Sequence, residues 1–137
     1  MRFEFRTFPS ARGGFLTPRP IVDLTLEGLE AAPIACLLDT GALRTRLSRD
    51  FAELAGIEVD DAISETVPVG GVRTVCSYAR VTLTISDGAD QHSWDAPVWF
   101  CEWPYDFGLL GVEGFLHHFR VTISGYEEYV EVVPESG

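Results

Sequence analysis

The segment "IACLLDTGALRTRLS", from Ile34 to Ser48, places a carboxylate at the end of the most hydrophobic run of the chain. Asp39 follows this run directly and precedes Thr40 and Gly41. Burying a charge costs free energy unless the charge is paired or hydrogen-bonded. Asp39 is therefore either a turn residue that reaches water or a group positioned for chemistry.

The residues after Asp39 favour a chemical role. The hydroxyl of Thr40 can hydrogen-bond within a buried network, Gly41 permits close backbone approach, and Ala42 leaves room for a crowded site. The alternative is a plain turn after a strand, because Asp and Gly are common turn residues and Asp-Thr-Gly alone is a weak signal.

The composition predicts one globular domain and excludes some partners. The chain has 137 residues and a formal charge of −11, from 21 acidic and 10 basic residues. Nucleic acids and anionic membranes bind basic surfaces, so we expect neither as a partner. The first residues contain no continuous apolar region typical of a signal peptide, and no run approaches the length of a membrane span.

The cysteines predict a reducing environment. They are odd in number and far apart in sequence, at Cys36, Cys76 and Cys101. This pattern favours reduced thiols and a cytoplasmic location over a disulfide framework. The three histidines do not combine with the cysteines at metal-binding spacing, so we expect no metal site.

Hydrophobic alternation and turn residues predict a mainly β fold, barrel-like or sandwich-like. Residues 1–19 are interpreted as an irregular N-terminal arm and residues 20–137 as a single domain. "PIVDLTLEG" and "PIACLL" predict strands, and "SRDFAELAG" a helix capped by Ser48 and ended by Gly56. Hairpins are predicted around Gly70-Gly71 and Ser124-Gly125, and "VEGFLHHF" suggests a second short helix.

Three ordered motifs now combine: "ACLLDTGA", "VPVGGV" and "GLLGVEGFLHHFRVTI". Together they resemble the retropepsin-like aspartic proteases, the single-domain bacterial or retroviral type, over residues 20 to 133. The resemblance implies a closed β-barrel-like domain with a flap hairpin and one or two short helices. It also implies an aspartic endopeptidase that needs no metal or cofactor.

The resemblance assigns roles to individual residues. Asp39 would be the catalytic aspartate, Thr40 would hydrogen-bond to the loop of a second subunit, and Gly41 would hold the carboxylate. The implied substrate-binding residues are Ala42, Leu43, Val69, Gly70 and Gly71, the last three in the flap. Since the chain has a single Asp-Thr-Gly, the two carboxylates of the mechanism imply a homodimer acting on a peptide or protein substrate.

Two positions depart from the family pattern. Leu43 stands where many members have Asp or Ser, and Val112 stands where many have Arg. Arg44 and Arg46 are interpreted as exposed strand residues, with contacts to acidic groups on a substrate or partner as the alternative. These departures leave open a catalytically inactive peptide-binding or dimerisation module of the same fold, and a third alternative is an accidental likeness in which Asp39 caps a turn.

Overall fold

The computed structural model describes residues 1–7, 17–69, 71–103 and 105–135, with the side chain of residue 69 excepted. Its elements are mainly strands. They are β1 (Arg2–Glu4), β2 (Ile21–Leu26), β3 (Ile34–Leu38), β4 (Arg46–Ser48), α1 (Arg49–Ala55), β5 (Asp60–Val69), β6 (Val72–Ser86), β7 (Gln91–Cys101), β8 (Gly108–Leu110), β9 (Phe119–Ser124) and β10 (Tyr129–Pro134).

Six of the strands close into a barrel. The main sheet has the order β2-β3-β8-β4-β7-β6-β5, and β2 also pairs with β6, so that β5 alone lies outside the closed ring. The pairs β3–β8 and β4–β7 are parallel. The predicted mainly β, closed-barrel fold is confirmed.

The barrel interior follows from the alternation of β6 and β7. Val81, Leu83 and Ile85 point inward from β6, and Ala96 and Val98 point inward from β7. All are almost fully buried, because successive side chains of a strand face opposite sides and only one set is apolar throughout. The predicted hairpin between residues 63 and 86 is also present, as β5 and β6.

The predicted helix forms at α1 with the predicted caps. The Ser48 hydroxyl accepts a hydrogen bond from the backbone N–H of Asp50, and Gly56 adopts the left-handed conformation that ends the helix. The helix places Ala52 in the barrel core.

A second sheet of three strands has the order β1-β10-β9. The prediction of an irregular segment over residues 1–19 is wrong for Arg2–Glu4, which pair antiparallel with Tyr129–Glu131. A segment of three residues is too short to show a strand pattern in the sequence. It forms a strand because it pairs with the edge of β10. Residues 8–16 lie outside the described part, and the domain division at residue 20 stays a prediction.

The predicted second helix is wrong. Residues 112–118 form consecutive turns in which the N–H groups of Leu116 and His117 donate to carbonyls five residues back, at Gly111 and Val112. Gly114 has a φ of +93°, which interrupts a right-handed helix. Two apolar residues of "VEGFLHHF", Phe115 and Phe119, are nevertheless buried in the barrel core.

The cysteine prediction is also corrected. Cys76 of β6 and Cys101 of β7 are opposite each other in the antiparallel register and form a disulfide, whereas Cys36 is a buried free thiol. The two cysteines are 25 residues apart, and only the register of the hairpin brings them together. Separately, none of the described helices is both long enough and apolar enough to cross a membrane.

Candidate active site

The loop that begins at Asp39 leaves the end of β3 and is attached at once to β8. The backbone N–H of Asp39 donates to the carbonyl of Leu110 over 3.0 Å. Inside the loop, the N–H of half-buried Ala42 donates to the carbonyl of Asp39 over 3.1 Å. Asp39 therefore sits on a backbone fixed from two directions.

The far end of the loop binds the segment that follows β8. The N–H groups of Val112 and Glu113 donate to the carbonyls of Ala42 and Leu43, over 2.9 and 2.8 Å. This second pair of bonds makes the two segments run side by side. The loop is thus part of the barrel framework and not a free surface turn.

Thr45 holds the two segments together through hydrogen bonds of its hydroxyl group. It is fully buried, its hydroxyl donates to the carbonyl of Glu113 over 2.8 Å, and it accepts from the N–H of Gly111 over 3.2 Å. A Cβ on Gly111 would collide with the carbonyl oxygens of Ala42 and Arg44. Glycine is therefore required where the two segments cross.

The carboxylate of Asp39 is only partly enclosed. It is half-buried, and Oδ1 accepts a hydrogen bond from the N–H of Gly41 over 2.9 Å. Within the described residues no arginine or histidine forms an ion pair with it. Thr40 and Gly41 are exposed, and the Thr40 hydroxyl has no hydrogen bond to the part of the chain that the structure describes.

The predicted substrate-binding residues fall into two groups. Leu43 lies in the loop and is 65% exposed. Val69 pairs with Val72 near the tip of the β5–β6 hairpin, and Gly71 there has a φ of +81°. Gly70 lies outside the described residues.

Arg44 and Arg46 are not the exposed residues that the sequence predicted. Their side chains are only 24% and 13% exposed. Oε1 of Glu65 in β5 lies 3.1 Å from Arg44 Nε and 2.8 Å from Arg46 Nη2. These are charge contacts without hydrogen-bond alignment, and they tie the flap hairpin to the loop segment.

Arg44 also contacts both carboxylate oxygens of Glu113, at 3.0 and 3.1 Å. An ion pair thus joins the two segments one residue after Leu43 and one residue after Val112. The sequence signal was available in the adjacent letters "LR" and "VE", but nothing local indicated that they meet.

A second hydrophobic cluster packs near this loop, where Trp99 contacts Arg44. Its buried members are Cys76, Trp99, Cys101 and Trp103, and Val67, Tyr78 and Leu109 pack against it. Val67 belongs to the flap hairpin, and Leu109 adjoins the residue that binds the Asp39 backbone. The signal missed in the sequence was "PVWFCEW", where apolar residues occupy both strand faces instead of alternating with polar ones.

The closed barrel, the Asp-Thr-Gly loop bound to a Leu-Leu-Gly strand and the flap hairpin define a retropepsin-like fold. A retropepsin-like aspartic protease from Rickettsia conorii has a similar structure, with a TM-score of 0.58 and 13% identity over 97% of this chain and 98% of that one. The retroviral protease-like domain of Ddi1 from Leishmania major is also similar, with a TM-score of 0.53 and 17% identity over 85% of this chain and 94% of that domain. No family model and no curated protein sequence matches the chain.

Proposed function

We propose that this chain is an aspartic endopeptidase in which Asp39 acts together with Asp39 of a second copy. The observation that carries the proposal is the state of Asp39 within a retropepsin-like fold. Its carboxylate is half-buried, lacks a cationic partner within the described residues, and stands on a loop fixed by Leu110 and Thr45. A partly exposed carboxylate held on a fixed backbone suits general acid–base chemistry.

Two copies are needed because one chain supplies one Asp-Thr-Gly. A two-fold axis near Asp39 would bring two identical carboxylates together. The exposed Thr40 hydroxyl, unpaired within the described chain, would be free to bond to the partner loop. Two carboxylates about 3 Å apart cannot both ionise readily, so the pair would hold one proton between them.

The proposed reaction hydrolyses a peptide bond by direct attack of water. The ionised carboxylate removes a proton from the water, whose oxygen attacks the peptide carbonyl. The protonated carboxylate donates a hydrogen bond to the carbonyl oxygen and then a proton to the leaving amine. The exposed Leu43 and the flap around Gly71 would contact the substrate on opposite sides.

The test is cleavage of a randomised peptide pool at mildly acidic pH by the wild type, Asp39→Asn and the control Asp90→Asn. Asp90 is an exposed turn residue whose side chain has no described hydrogen bond. We expect the Asp39 variant to lose roughly 10²–10⁴-fold or more of the activity and the control to keep it. Cleavage that persists in Asp39→Asn would remove Asp39 from the mechanism.

A second candidate is a peptide-binding or dimerisation module without turnover, which the departures at Leu43 and Val112 favour. It predicts that the wild type and Asp39→Asn bind peptides equally and that neither hydrolyses them. Sedimentation tests the dimer in both cases. The cytoplasmic location stays a prediction, and the disulfide removes the cysteine argument on which it rested.

A further inference from the structure

A groove of about 510 Å³ lies on the outer face of the β6–β7 pair. Its walls come from two register pairs, Tyr78 opposite Trp99 and Arg80 opposite Pro97. Directly opposed side chains of an antiparallel pair share one face of the sheet. The remaining lining residues are Arg44, Ile63 and Glu113.

At one end of the groove the charged side chains are paired with each other. The Arg44 guanidinium lies 4.3 Å from the centre of the Trp99 ring and pairs with Glu113. Glu113 also accepts a hydrogen bond from the indole N–H of Trp99 over 3.1 Å. These charges cancel, so this end offers an aromatic and neutral surface.

The other end carries an arginine without an ion pair. Arg80 is exposed, and no ion pair or hydrogen bond engages its guanidinium within the described part of the chain. The nearest acidic residue on that face along β7, Asp95, accepts a hydrogen bond from Thr82 over 3.0 Å. Six other arginines form ion pairs, at positions 2, 6, 44, 46, 49 and 120. Of the nine described arginines, Arg19, Arg73 and Arg80 form no ion pair, and of these three Arg80 lines the groove.

The groove adjoins the proposed catalytic loop along the chain. Arg44, at the end with paired charges, directly follows the exposed Leu43, and Leu43 belongs to the loop that starts at Asp39. A peptide extended from Asp39 over the groove would place the side chain of a residue away from the scissile bond beside Arg80.

We propose that this groove is a subsite that selects a Glu or Asp side chain of the substrate. The carboxylate would pair with Arg80, and the methylene groups would pack on Tyr78 and Pro97. The inference rests on the proposed protease function, and it names the substrate class: extended peptides with an acidic residue at one fixed distance from the cleaved bond. A basic side chain would meet the Arg80 charge and be disfavoured.

The first test measures cleavage of peptide pools in which each position in turn is fixed as Glu or Gln. We expect the wild type to prefer Glu at one position by roughly 1.5-fold to fivefold, the range for a solvent-exposed charge pair. Arg80→Gln should abolish the preference, Arg80→Lys should keep most of it, and Arg80→Glu should exchange it for Lys or Arg. Arg19→Gln removes an exposed arginine outside the groove and should leave it unchanged.

The second test separates this inference from the proposed activity. Binding of the fluorescent Glu and Gln peptide pools is measured with Asp39→Asn, with and without Arg80→Gln. A Glu preference in binding that depends on Arg80, without any cleavage by the wild type, supports the subsite and overturns the protease. Cleavage whose Glu preference is absent, or survives Arg80→Gln, overturns the subsite alone, and a chain that neither binds nor cleaves the pools overturns both.

Discussion

Arg44 and Glu113 are joined twice. Arg44 Nη1 contacts both carboxylate oxygens of Glu113, at 3.0 and 3.1 Å, and the backbones of the same two residues form an isolated parallel bridge. The side-chain pair therefore reinforces the crossing that holds the Asp39 loop against the segment after β8. With side chains 24% and 31% exposed, the pair lies between a surface ion pair and a buried one.

Glu113→Gln should destabilise the fold by about 1–2 kcal/mol, because it leaves the Arg44 guanidinium only partly compensated in a half-buried place. The free energy of unfolding in urea measures the effect. Glu4→Gln breaks the pair with Arg2, whose side chains are 52% and 66% exposed, and should cost less than about 0.5 kcal/mol. Equal costs for the two variants would contradict a reinforcing role for the Arg44–Glu113 pair.

Thr45→Val should cost about 2 kcal/mol of unfolding free energy, because it leaves the N–H of Gly111 and the carbonyl of Glu113 without their hydroxyl partner in a fully buried site. Thr45→Ser keeps the hydroxyl and removes one methyl group, so it should cost less. Chemical unfolding of the pair of variants checks this. A serine variant as unstable as the valine variant would assign the effect to packing.

Gly111→Ala should destabilise by about 1–3 kcal/mol, because the new Cβ would meet the carbonyl oxygen of Ala42 at 2.7 Å and also that of Arg44. The neighbouring strand would have to move away from the Asp39 loop. Gly125→Ala, in a turn with open space around the position, is the matched control and should be close to neutral. Thermal unfolding of both variants compares them, and equal midpoints would mean that the crossing tolerates a side chain.

Replacing both members of the Cys76–Cys101 disulfide by Ala should cost about 3 kcal/mol, mainly because the unfolded chain regains the freedom of a 25-residue separation. Urea unfolding measures the loss. The disulfide itself is checked by counting thiols in the unfolded protein. We expect one thiol, that of Cys36, before reduction and three after it, whereas three thiols without reductant would show that the bond is absent.

His118 should make the fold sensitive to mild acid. Burial beside Trp94 lowers the pKa of its imidazole, and the nearby His117, Arg80 and His92 lower it further. The folded state therefore favours the neutral ring. Stability is complete above the unfolded pKa of about 6.5 and is lost as the pH falls through the lower folded pKa.

The variant His118→Gln cannot titrate and should lose less stability than the wild type between about pH 7 and pH 5. His117→Gln, at an exposed position, removes one of the charges that lower the pKa of His118, so its loss should lie between those of the wild type and His118→Gln. Thermal midpoints over this range give the comparison. Parallel curves for His118→Gln and the wild type would assign the acid sensitivity to other groups.

Features encoded within short segments could be predicted from the sequence. The Ser48 and Gly56 caps of α1 and the alternating face of β6 each depend on residues within a few positions of one another. The Asp-Thr-Gly loop was identified in the same way, from the apolar run before it and the small residues after it. Such local patterns can be recognised from the sequence of neighbouring residues alone.

Features that depend on distant partners could not be predicted. Arg44 looks like an exposed strand residue until the fold brings Glu65 and Glu113 beside it. Cys76 and Cys101 become partners only through the register of two long strands. The segment at residues 112–118 has helical apolar spacing, but Gly114 lies against Thr45 and Pro97 in a conformation that a helix does not allow.

The position of β10 bears on when the proposed enzyme is active. With β1 on one side and β9 on the other, its hydrogen-bonding edges are already occupied within one chain. A single copy can therefore complete its barrel and its terminal sheet without a partner, yet it holds only half of the proposed dyad. Specific activity per chain would then rise with protein concentration. Proteolysis would be high where the chain is abundant enough to dimerise and low where it is dilute.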